Sequence, residues 1–459
     1  MRRQLSNPSD TARTPDHVIA RRFYPWLVFA LSFGLLLSDY MSRQVLNAVF
    51  PLLKVEWALS DTQLGALGGV VALMVGLLTI PLSVLADRWG RVRSLVLMAL
   101  LWSVATLGCA VATGFGEMFI ARLCVGVGEA AYGSVGIAVV LSVFPRHLRS
   151  SLSAAFIAGG AFGSVLGMAL GGALAAKFGW RWAFAGMAIF GLVLVGIYVL
   201  SITEARLRAQ RDALGEEPAP QANARRVTPR ELVAALFSAP SILCAYAGSA
   251  LQFLVLAALL AWMPSYMSRY YGMGTDRAGL TAAAFVLASG IGMVACGALT
   301  DWVARRALTR KWLMAIAYSV ISCALLSIAF RLPAGTLQLV MIGAGMVVVG
   351  GTAGPASAMV ANLTRPAIHA TAFATLTLAN NLLGLAPGPF ATGVLADRIG
   401  LQGALQVIPL AGIAAAALFV IGRRHYAADL RKVENHRAAQ DAQDAQPVGQ
   451  DHQHVARHA

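Results

Sequence analysis

The chain has few charged residues for its length. Of its 459 residues, only 12% are Asp, Glu, Lys or Arg, and 58% are hydrophobic. A soluble domain carries about 25% charged and 45–50% apolar residues. This deficit excludes an ordinary soluble enzyme, a disordered chain and a fibrous protein, and it indicates lipid as the main solvent. The net charge of +15 is then expected in cytoplasmic loops and does not predict a nucleic-acid partner.

Cysteine is scarce as well. The five cysteines all fall inside apolar stretches, and none forms a CxxC pair. We therefore expect neither a zinc site nor a disulfide framework, and no cofactor. A cleavable signal is not expected either, because the first 22 residues are polar and hold five Arg.

Long apolar runs dominate the rest of the chain. Twelve of them are long enough to cross about 30 Å of hydrocarbon. Backbone polar groups cannot stay unpaired in lipid, so each run is predicted to be a helix of an all-α integral membrane protein. The runs lie near 24–47, 62–86, 93–113, 117–143, 150–176, 182–202, 239–267, 276–300, 312–331, 335–361, 368–396 and 402–422.

The distribution of positive charge predicts the orientation. With the N-terminus inside, the cytoplasmic segments hold 27 Lys and Arg and the opposite side holds 7. This asymmetry favours cytoplasmic N and C termini in an inner (plasma) membrane of bacterial type.

Composition divides the chain into five segments. Residues 1–22 are a predicted cytoplasmic tail, and 23–202 and 239–424 are two predicted six-helix bundles. Between them, the Pro-containing segment 203–238 is a predicted cytoplasmic linker. The polar segment 425–459 is predicted to be a disordered cytoplasmic tail.

Four of the apolar runs end alike. Runs two, five, eight and eleven end in the segments 83–90, 172–179, 297–301 and 393–400, in which a small residue stands four positions before Asp or Ala. A match at every third helix predicts three-helix units repeated four times, as in transporters that rock about a central site. Charged residues at two of these ends form a predicted gating signature: Asp87, Arg88, Gly90 and Arg91, with Asp301 and Arg305.

Only four charges lie deep within the predicted spans: Asp39, Arg43, Arg122 and Glu129. Each costs at least about 2.5–3.5 kcal/mol in lipid, so each is expected to face protein or water. Asp39 and Arg43 share a helix face, and Glu129 lies about 18 Å along its span, near mid-membrane.

Two interpretations remain open for most of these residues. Glu129 is a candidate proton-coupling group or half of a static ion pair that holds helices together. Arg43 either binds an anionic headgroup or neutralises Asp39 or Glu129. Arg122 is a candidate gate partner of Asp61.

The second half offers amides in place of charges. Asn380 and Asn381 are expected either to hydrogen-bond between helices or to contact substrate. A charged first half beside an apolar second half suits an amphipathic substrate, and equally a small hydrophobic drug. The sequence shows no nucleophile or metal-ligand cluster that would predict an enzyme.

The loop signature at 83–91, its echo at 297–306 and the twelve spans with a central linker resemble the major facilitator superfamily. This resemblance implies two six-helix bundles around one cavity, a monomer among membrane lipids, and gating by Asp87 in the outward-facing state.

A narrower resemblance is to the spinster-like branch. Its carrying segments are 39–44, 59–65, 85–88, 102–106, 122–130, 144–149, 179–181, 262–269, 381–384 and 388–389. Bacterial members usually have Asn-Tyr-x-Asp-Arg in the first span, whereas the acid here is Asp39 and the later position is Ser42.

The spinster-like resemblance implies a secondary transporter for a lysolipid-like anion or zwitterion, coupled to protons. The alternatives are a small organic anion symporter, since the anion:cation symporter branch shares several motifs, and a hydrophobic drug exporter.

Overall fold

The computed structural model describes residues 15–213, 236–237, 239–305, 307, 309–364 and 368–444, which are almost entirely helical and contain no strand. In the first half, the helices are α1 (Pro15–Trp57), α2 (Asp61–Trp89), α3 (Arg91–Val111), α4 (Phe115–Glu129), α5 (Tyr132–Ser142), α6 (Arg149–Phe178), α7 (Trp180–Ser201) and α8 (Glu204–Ala213). In the second half, they are α9 (Pro240–Tyr271), α10 (Thr275–Ala304), α11 (Arg310–Ala329), α12 (Thr336–Val349), α13 (Ala353–Leu363), α14 (His369–Asn380), α15 (Pro387–Val407) and α16 (Ala411–Asp444).

These helices confirm the predicted all-helical membrane fold. Eleven apolar helical stretches of the described chain are long enough to cross a membrane. The last, Thr371–Lys432, has 62 residues, about 93 Å of helix and far more than one crossing needs. It is interrupted at Gly400, which has a φ of 77°, so this stretch supplies the eleventh and twelfth predicted spans.

Two of the crossings are built from paired helices. The fourth consists of α4 and α5, which a turn at Ala130 and Ala131 separates. The tenth consists of α12 and α13, which the 3₁₀ turn Gly350–Thr352 joins. The eleventh contains the π-helix Asn381–Leu385 between α14 and α15. Such interruptions are common at functional sites of membrane proteins.

Three of the four repeated segments end at a glycine with positive φ. Gly90, Gly179 and Gly400 have φ values of 100°, 89° and 77°, which L-residues with a side chain rarely adopt. The Gly90 and Gly179 N–H groups each bond to a carbonyl four residues earlier. In these three repeats, the glycine therefore ends one helix and lets the next begin at once.

The described chain forms two compact units. Of the described residues, the first unit holds those within 1–223, 257–288 and 385–405, and the second holds those within 224–256, 289–384 and 406–459. The first unit therefore contains the first predicted bundle together with parts of α9, α10 and α15. Close glycine contacts inside this unit explain the grouping, because Gly172 of α6 meets Gly279 of α10 and Gly65 of α2 meets Pro389 of α15.

The prediction of disorder from residue 425 is wrong for its first twenty residues, because α16 continues to Asp444. Tyr426 is buried and packs on Trp312, with ring centroids 5.7 Å apart. Asp429 is also buried and accepts hydrogen bonds from the Ser241 N–H and hydroxyl groups at 3.1 and 2.6 Å. These contacts extend the helix beyond the apolar run. Residues 445–459 lie outside the described chain.

The predicted flexible linker 203–238 also begins with a helix. Glu204, the first residue of α8, accepts a hydrogen bond from the Val92 N–H group at 2.9 Å. That bond satisfies one of the free N–H groups at the start of α3. Most of the remaining linker, residues 214–235, lies outside the described chain.

Candidate functional site

A buried ion pair joins α1 and α4 in the first unit. The Arg43 Nε and Nη2 atoms both donate to Glu129 Oε2, at 3.1 and 2.6 Å. The Glu129 side chain is fully buried, whereas 19% of the Arg43 side chain is exposed. The guanidinium therefore neutralises a fully buried carboxylate, while part of the Arg43 side chain stays accessible.

Asp39 is the third member of this group. It lies one helical turn before Arg43 and is 4% exposed. Its carboxyl group neighbours both Glu129 and Arg43. Within the described residues, Asp39 Oδ1 and Glu129 Oε1 have no hydrogen-bond partner. Two adjacent carboxyl groups facing one cation provide a place for a proton, because like charges at short range are unfavourable.

The break between α4 and α5 positions Glu129. Glu129 is the last residue of α4, and the Ala130 carbonyl accepts a hydrogen bond from the Thr79 hydroxyl of α2 at 2.7 Å. A side chain at Gly126 would collide with α2, and one at Gly128 would collide with α3. These close backbone contacts hold the end of α4 in place.

Arg122 is 1% exposed and binds backbone carbonyls. Its guanidinium donates to Ser42 O at 3.1 Å and to Arg43 O and Leu67 O at 3.4 Å. Arg122 thus ties α4 to α1 and α2 directly beside the ion pair. The prediction that it pairs with Asp61 is wrong, because the described contacts of Asp61 go to other cations.

Those other cations form a second charged group, which we call the Asp61 network. Asp61 accepts from Lys54 Nζ at 2.6 Å and from the Arg269 guanidinium at 2.9 and 2.6 Å. The Asp397 carboxylate accepts from the N–H groups of Asp61 and Thr62, both at 2.8 Å. This carboxylate satisfies the free N–H groups at the start of α2, where the positive end of the helix dipole favours an anion.

Backbone contacts continue from the Asp61 network along α2. A side chain at Gly65, Gly69 or Gly393 would collide with the carbonyl of Pro389, Ala386 or Asp61, respectively. The segments 61–69 and 386–393 therefore pack main chain to main chain. The sequence analysis did not predict this contact. The segment 59–65 does contain the Ser60 and Gln63 capping box that begins α2, but a capping box does not indicate which helix packs there.

The predicted gating signature lies at the opposite end of α2. Arg91 Nε donates to Asp87 Oδ1 at 3.4 Å, and both side chains are exposed. Arg88 is also exposed, and Gly90 has the positive φ given above. In the second unit, Asp301 and Arg305 at the end of α10 are exposed too. The gating role of these residues stays a prediction.

Asn380 and Asn381 belong to the second unit, at the junction of α14 and the π-helix. Asn381 donates to the Thr377 carbonyl of its own helix at 2.9 Å. Asn380 Oδ1 is buried and has no hydrogen-bond partner within the described residues. The carboxamide oxygen of Asn380 can therefore accept a further hydrogen bond. Among the described residues, no cluster of three His, Cys, Asp or Glu side chains is arranged to hold a metal ion.

Twelve apolar crossings, interrupted helices and a buried acid–cation group together define a helical membrane transporter. Comparison with known families identifies it further. The profile of the Major Facilitator Superfamily matches residues 32–387, and the chain belongs to this superfamily. This match confirms the superfamily predicted from the loop signature and the twelve spans.

Relatives of several kinds are similar to the chain. The uncharacterized MFS-type transporter EfpA of Mycobacterium tuberculosis is 33% identical over 42% of this chain and 38% of its own length. The hexuronate transporter of Bacillus subtilis is 23% identical over 65% of this chain and 69% of its own length. Protein spinster of Drosophila melanogaster is 26% identical over 52% of this chain and 38% of its own length. The matches thus span well under half of the EfpA and spinster lengths.

Solved structures also resemble this fold. A bacterial homologue of the human lysosomal transporter Spinster, in an inward-facing and occupied conformation, superposes with a TM-score of 0.77. It is 19% identical, and the match covers 89% of this chain and 98% of that one. The spinster-like resemblance seen in the sequence is therefore accompanied by a shared fold.

Proposed function

We propose that this major facilitator transporter is proton-coupled and moves an amphipathic, lipid-like anion or zwitterion of the lysolipid type by alternating access. One observation carries the proposal: the buried Arg43–Glu129 ion pair with the Asp39 carboxyl group beside it. This group combines a cation for a headgroup with acids that can take up a proton.

The proton argument follows from charge balance. One arginine neutralises one of the two neighbouring carboxylates, so the other is left without a counter-ion when both are ionised. Binding one proton to the pair removes this cost. If a substrate anion takes Arg43 from Glu129, protonation of Glu129 again restores neutrality. Substrate and proton binding are therefore linked through Arg43.

The substrate argument rests on amphipathic surroundings. The Arg43 side chain is partly exposed, whereas that of Glu129 is fully buried, and the planar fork of Arg43 suits a phosphate or carboxylate. The described spans of the second half contain no Asp or Glu between Thr336 and Asp397, which suits an acyl chain. Similarity to Protein spinster and to the solved Spinster homologue supports a substrate of the class expected from the spinster-like branch.

A small organic anion is the second candidate. The same Arg43 fork suits a sugar carboxylate, and the hexuronate transporter is among the relatives. A drug exporter is a third possibility within the superfamily, and it needs no anion at Arg43.

We further propose an inner-membrane location, cytoplasmic N and C termini, and a monomer. The 27-to-7 distribution of Lys and Arg supports the orientation. Reporter fusions after residues 215 and 435 are expected to report the cytoplasm, and a fusion at 272 the outside. An outside signal at 215 would overturn this topology.

Substrate class is tested by identifying cargo and measuring its transport. Lipid extracted from the purified protein is analysed by mass spectrometry. Proteoliposomes then receive labelled lysophosphatidylethanolamine or labelled glucuronate, with and without a pH gradient. Bound lysolipid and gradient-driven lysolipid movement would support the proposal. Gradient-driven glucuronate uptake without lysolipid movement would establish the second candidate instead.

A further inference from the structure

A row of buried hydroxyl groups runs along the first unit from Asp39 to one end of α1. We call Ser32, Tyr132, Tyr198 and Tyr24 the hydroxyl row. Tyr24, Ser32 and Asp39 lie on one side of α1 at spacings of eight and seven residues. From Asp39 to Tyr24 the helix rises about 22 Å, which is about three quarters of a hydrocarbon core of about 30 Å.

Neighbouring helices supply the tyrosines of the hydroxyl row. The Tyr132 hydroxyl of α5 donates to the Ser32 carbonyl at 2.8 Å, and its ring lies within electrostatic range of Asp39 and Tyr198. Tyr198 of α7 interacts electrostatically with Ser32 and Tyr24. The members of the hydroxyl row therefore lie in one buried region between α1, α5 and α7.

The hydroxyl row ends at charged surface residues. Tyr24 lies near the Thr203 backbone and Arg206, which are exposed at the start of α8. Glu204 is a further neighbour, within electrostatic range of Tyr198. This end carries the excess of positive charge that predicts the cytoplasm. The hydroxyl row thus extends from the buried acids toward this charged surface.

Most of these hydroxyl groups lack a fixed partner. Within the described residues, the oxygens of Tyr24, Ser32 and Tyr198 are buried and have no hydrogen-bond partner. A buried polar group without a partner costs about 1–3 kcal/mol. Three in one row, each both donor and acceptor, suit a chain of hydrogen bonds that water completes.

Asp39 and Glu129, at the buried end of the hydroxyl row, need such a connection. The Glu129 side chain is fully buried and Asp39 is 4% exposed, so neither exchanges protons freely with solvent. The titratable and charged groups around Asp39 are Glu129, Arg43, Tyr40 and Tyr132. Of these, Tyr132 belongs to the hydroxyl row.

We propose that the hydroxyl row is a proton path between the Asp39–Glu129 pair and the positively charged end of the first bundle. Along it, each oxygen accepts a proton from one neighbour and passes another to the next, so every hydroxyl group ends with the one hydrogen it began with. The path rests on the proposed proton coupling and adds that protons leave through the helix bundle itself. It lies apart from Arg43, where the substrate is proposed to bind.

A purely structural role is the competing explanation. In that case the hydroxyl groups fill space between α1, α5 and α7, and their removal changes stability without changing the rate of proton movement. Tyr198→Phe separates the two roles. It removes the hydroxyl group and keeps the aromatic ring, so the packing between the helices is preserved.

The test measures protonation directly and needs no identified substrate. The purified full-length protein is subjected to a rapid pH jump, and the infrared C=O stretch of protonated buried carboxyl groups is followed in time. Loss of the band in Asp39→Asn or Glu129→Gln assigns it. Tyr24→Phe is a second variant, at the surface end of the hydroxyl row. Tyr246→Phe is the matched control, because it also removes a buried hydroxyl group without a described partner, in the second unit.

In Tyr198→Phe and Tyr24→Phe, the carboxyl band is expected to change at least about tenfold more slowly after the pH jump, with an unchanged final amplitude. Tyr246→Phe is expected to behave as wild type. Wild-type rates in both row variants would overturn the path and leave the proton-coupling proposal intact. Absence of any titrating buried carboxyl band in the wild type would instead overturn proton coupling at Asp39 and Glu129, and the path with it. Equal slowing in Tyr246→Phe would identify a general packing effect and also contradict the path.

Discussion

Arg43 holds one oxygen of Glu129 and leaves the other open. Its Nε and Nη2 atoms both donate to Oε2, whereas Oε1 has no hydrogen-bond partner in the described part of the chain. An ordinary structural ion pair uses both carboxylate oxygens where it can. The open oxygen, with Asp39 beside it, gives Glu129 the capacity to bind a proton without first leaving Arg43.

Glu129→Gln tests this capacity. The amide mimics the protonated acid, so it is expected to abolish proton-driven accumulation of substrate and to retain binding and downhill exchange. Accumulation is measured in proteoliposomes with a pH gradient, and exchange without one. Glu117→Gln is the matched control, because Glu117 lies on the same helix and its carboxylate binds the Thr113 N–H and hydroxyl groups at the exposed end. Wild-type accumulation by Glu129→Gln would remove Glu129 from the coupling mechanism.

The stability of the ion pair gives a second prediction. Removing one member of a buried pair costs about 3–5 kcal/mol, because the other charge remains without a partner. Arg43→Gln is therefore expected to lower the unfolding temperature in detergent markedly. Arg43→Gln combined with Glu129→Gln is expected to recover much of the loss. Additive losses in the double variant would show that the two side chains do not depend on each other.

The sequence predicted the helices better than the long-range contacts. Apolar runs gave all twelve crossings, because lipid requires long apolar helices. The cost of charge in lipid singled out Asp39, Arg43 and Glu129. The Asp61 network was missed, since it joins Asp61 to Asp397 across 336 residues and nothing in local spacing reveals such a pairing.

The buried hydroxyl groups and the helical tail were missed for a different reason. Ser32 and Tyr198 are ordinary residues of apolar helices, and a role for them is indicated only by the groups that surround them in the fold. The tail was assigned by its polar composition, but buried contacts of Tyr426 and Asp429 stabilise a helix there.

The contact of Asp429 predicts that this helix matters for stability. Its carboxylate binds two groups of Ser241 near the start of α9, and loss of such a cap costs about 0.5–2 kcal/mol. Asp429→Ala is expected to lower the unfolding temperature while substrate binding is retained. Arg424→Ala, on an exposed position of the same helix, is the control. Equal unfolding temperatures for the two variants would contradict the capping role.

The last prediction concerns the Asp61 network as a gate. If transport alternates between two states, the main-chain contact of segment 61–69 with segment 386–393 must separate in one of them. Asp61→Asn keeps the backbone N–H groups that Asp397 binds and weakens only the bonds to Lys54 and Arg269. A loss of about 1.4 kcal/mol from the closed arrangement increases the open population about tenfold. The reporter is Gly68→Cys in a background without native cysteines, because a side chain there lies 3.4 Å from Pro389 and 3.5 Å from Phe50 in the closed arrangement.

A membrane-impermeant thiol reagent is expected to label Gly68→Cys slowly, and about tenfold faster when Asp61→Asn is added. Glu56→Gln is the matched control, since Glu56 binds Arg181 and Trp180 and so joins α1 to α7 without involving the second half. Both changes remove a negative charge near the junction of α1 and α2, but only Asp61 also binds α9. Labelling that is faster with Asp61→Asn but not with Glu56→Gln would support a gate between the two halves of the sequence. Equal labelling in both variants, or none above the parent, would show that these charges do not hold the contact closed.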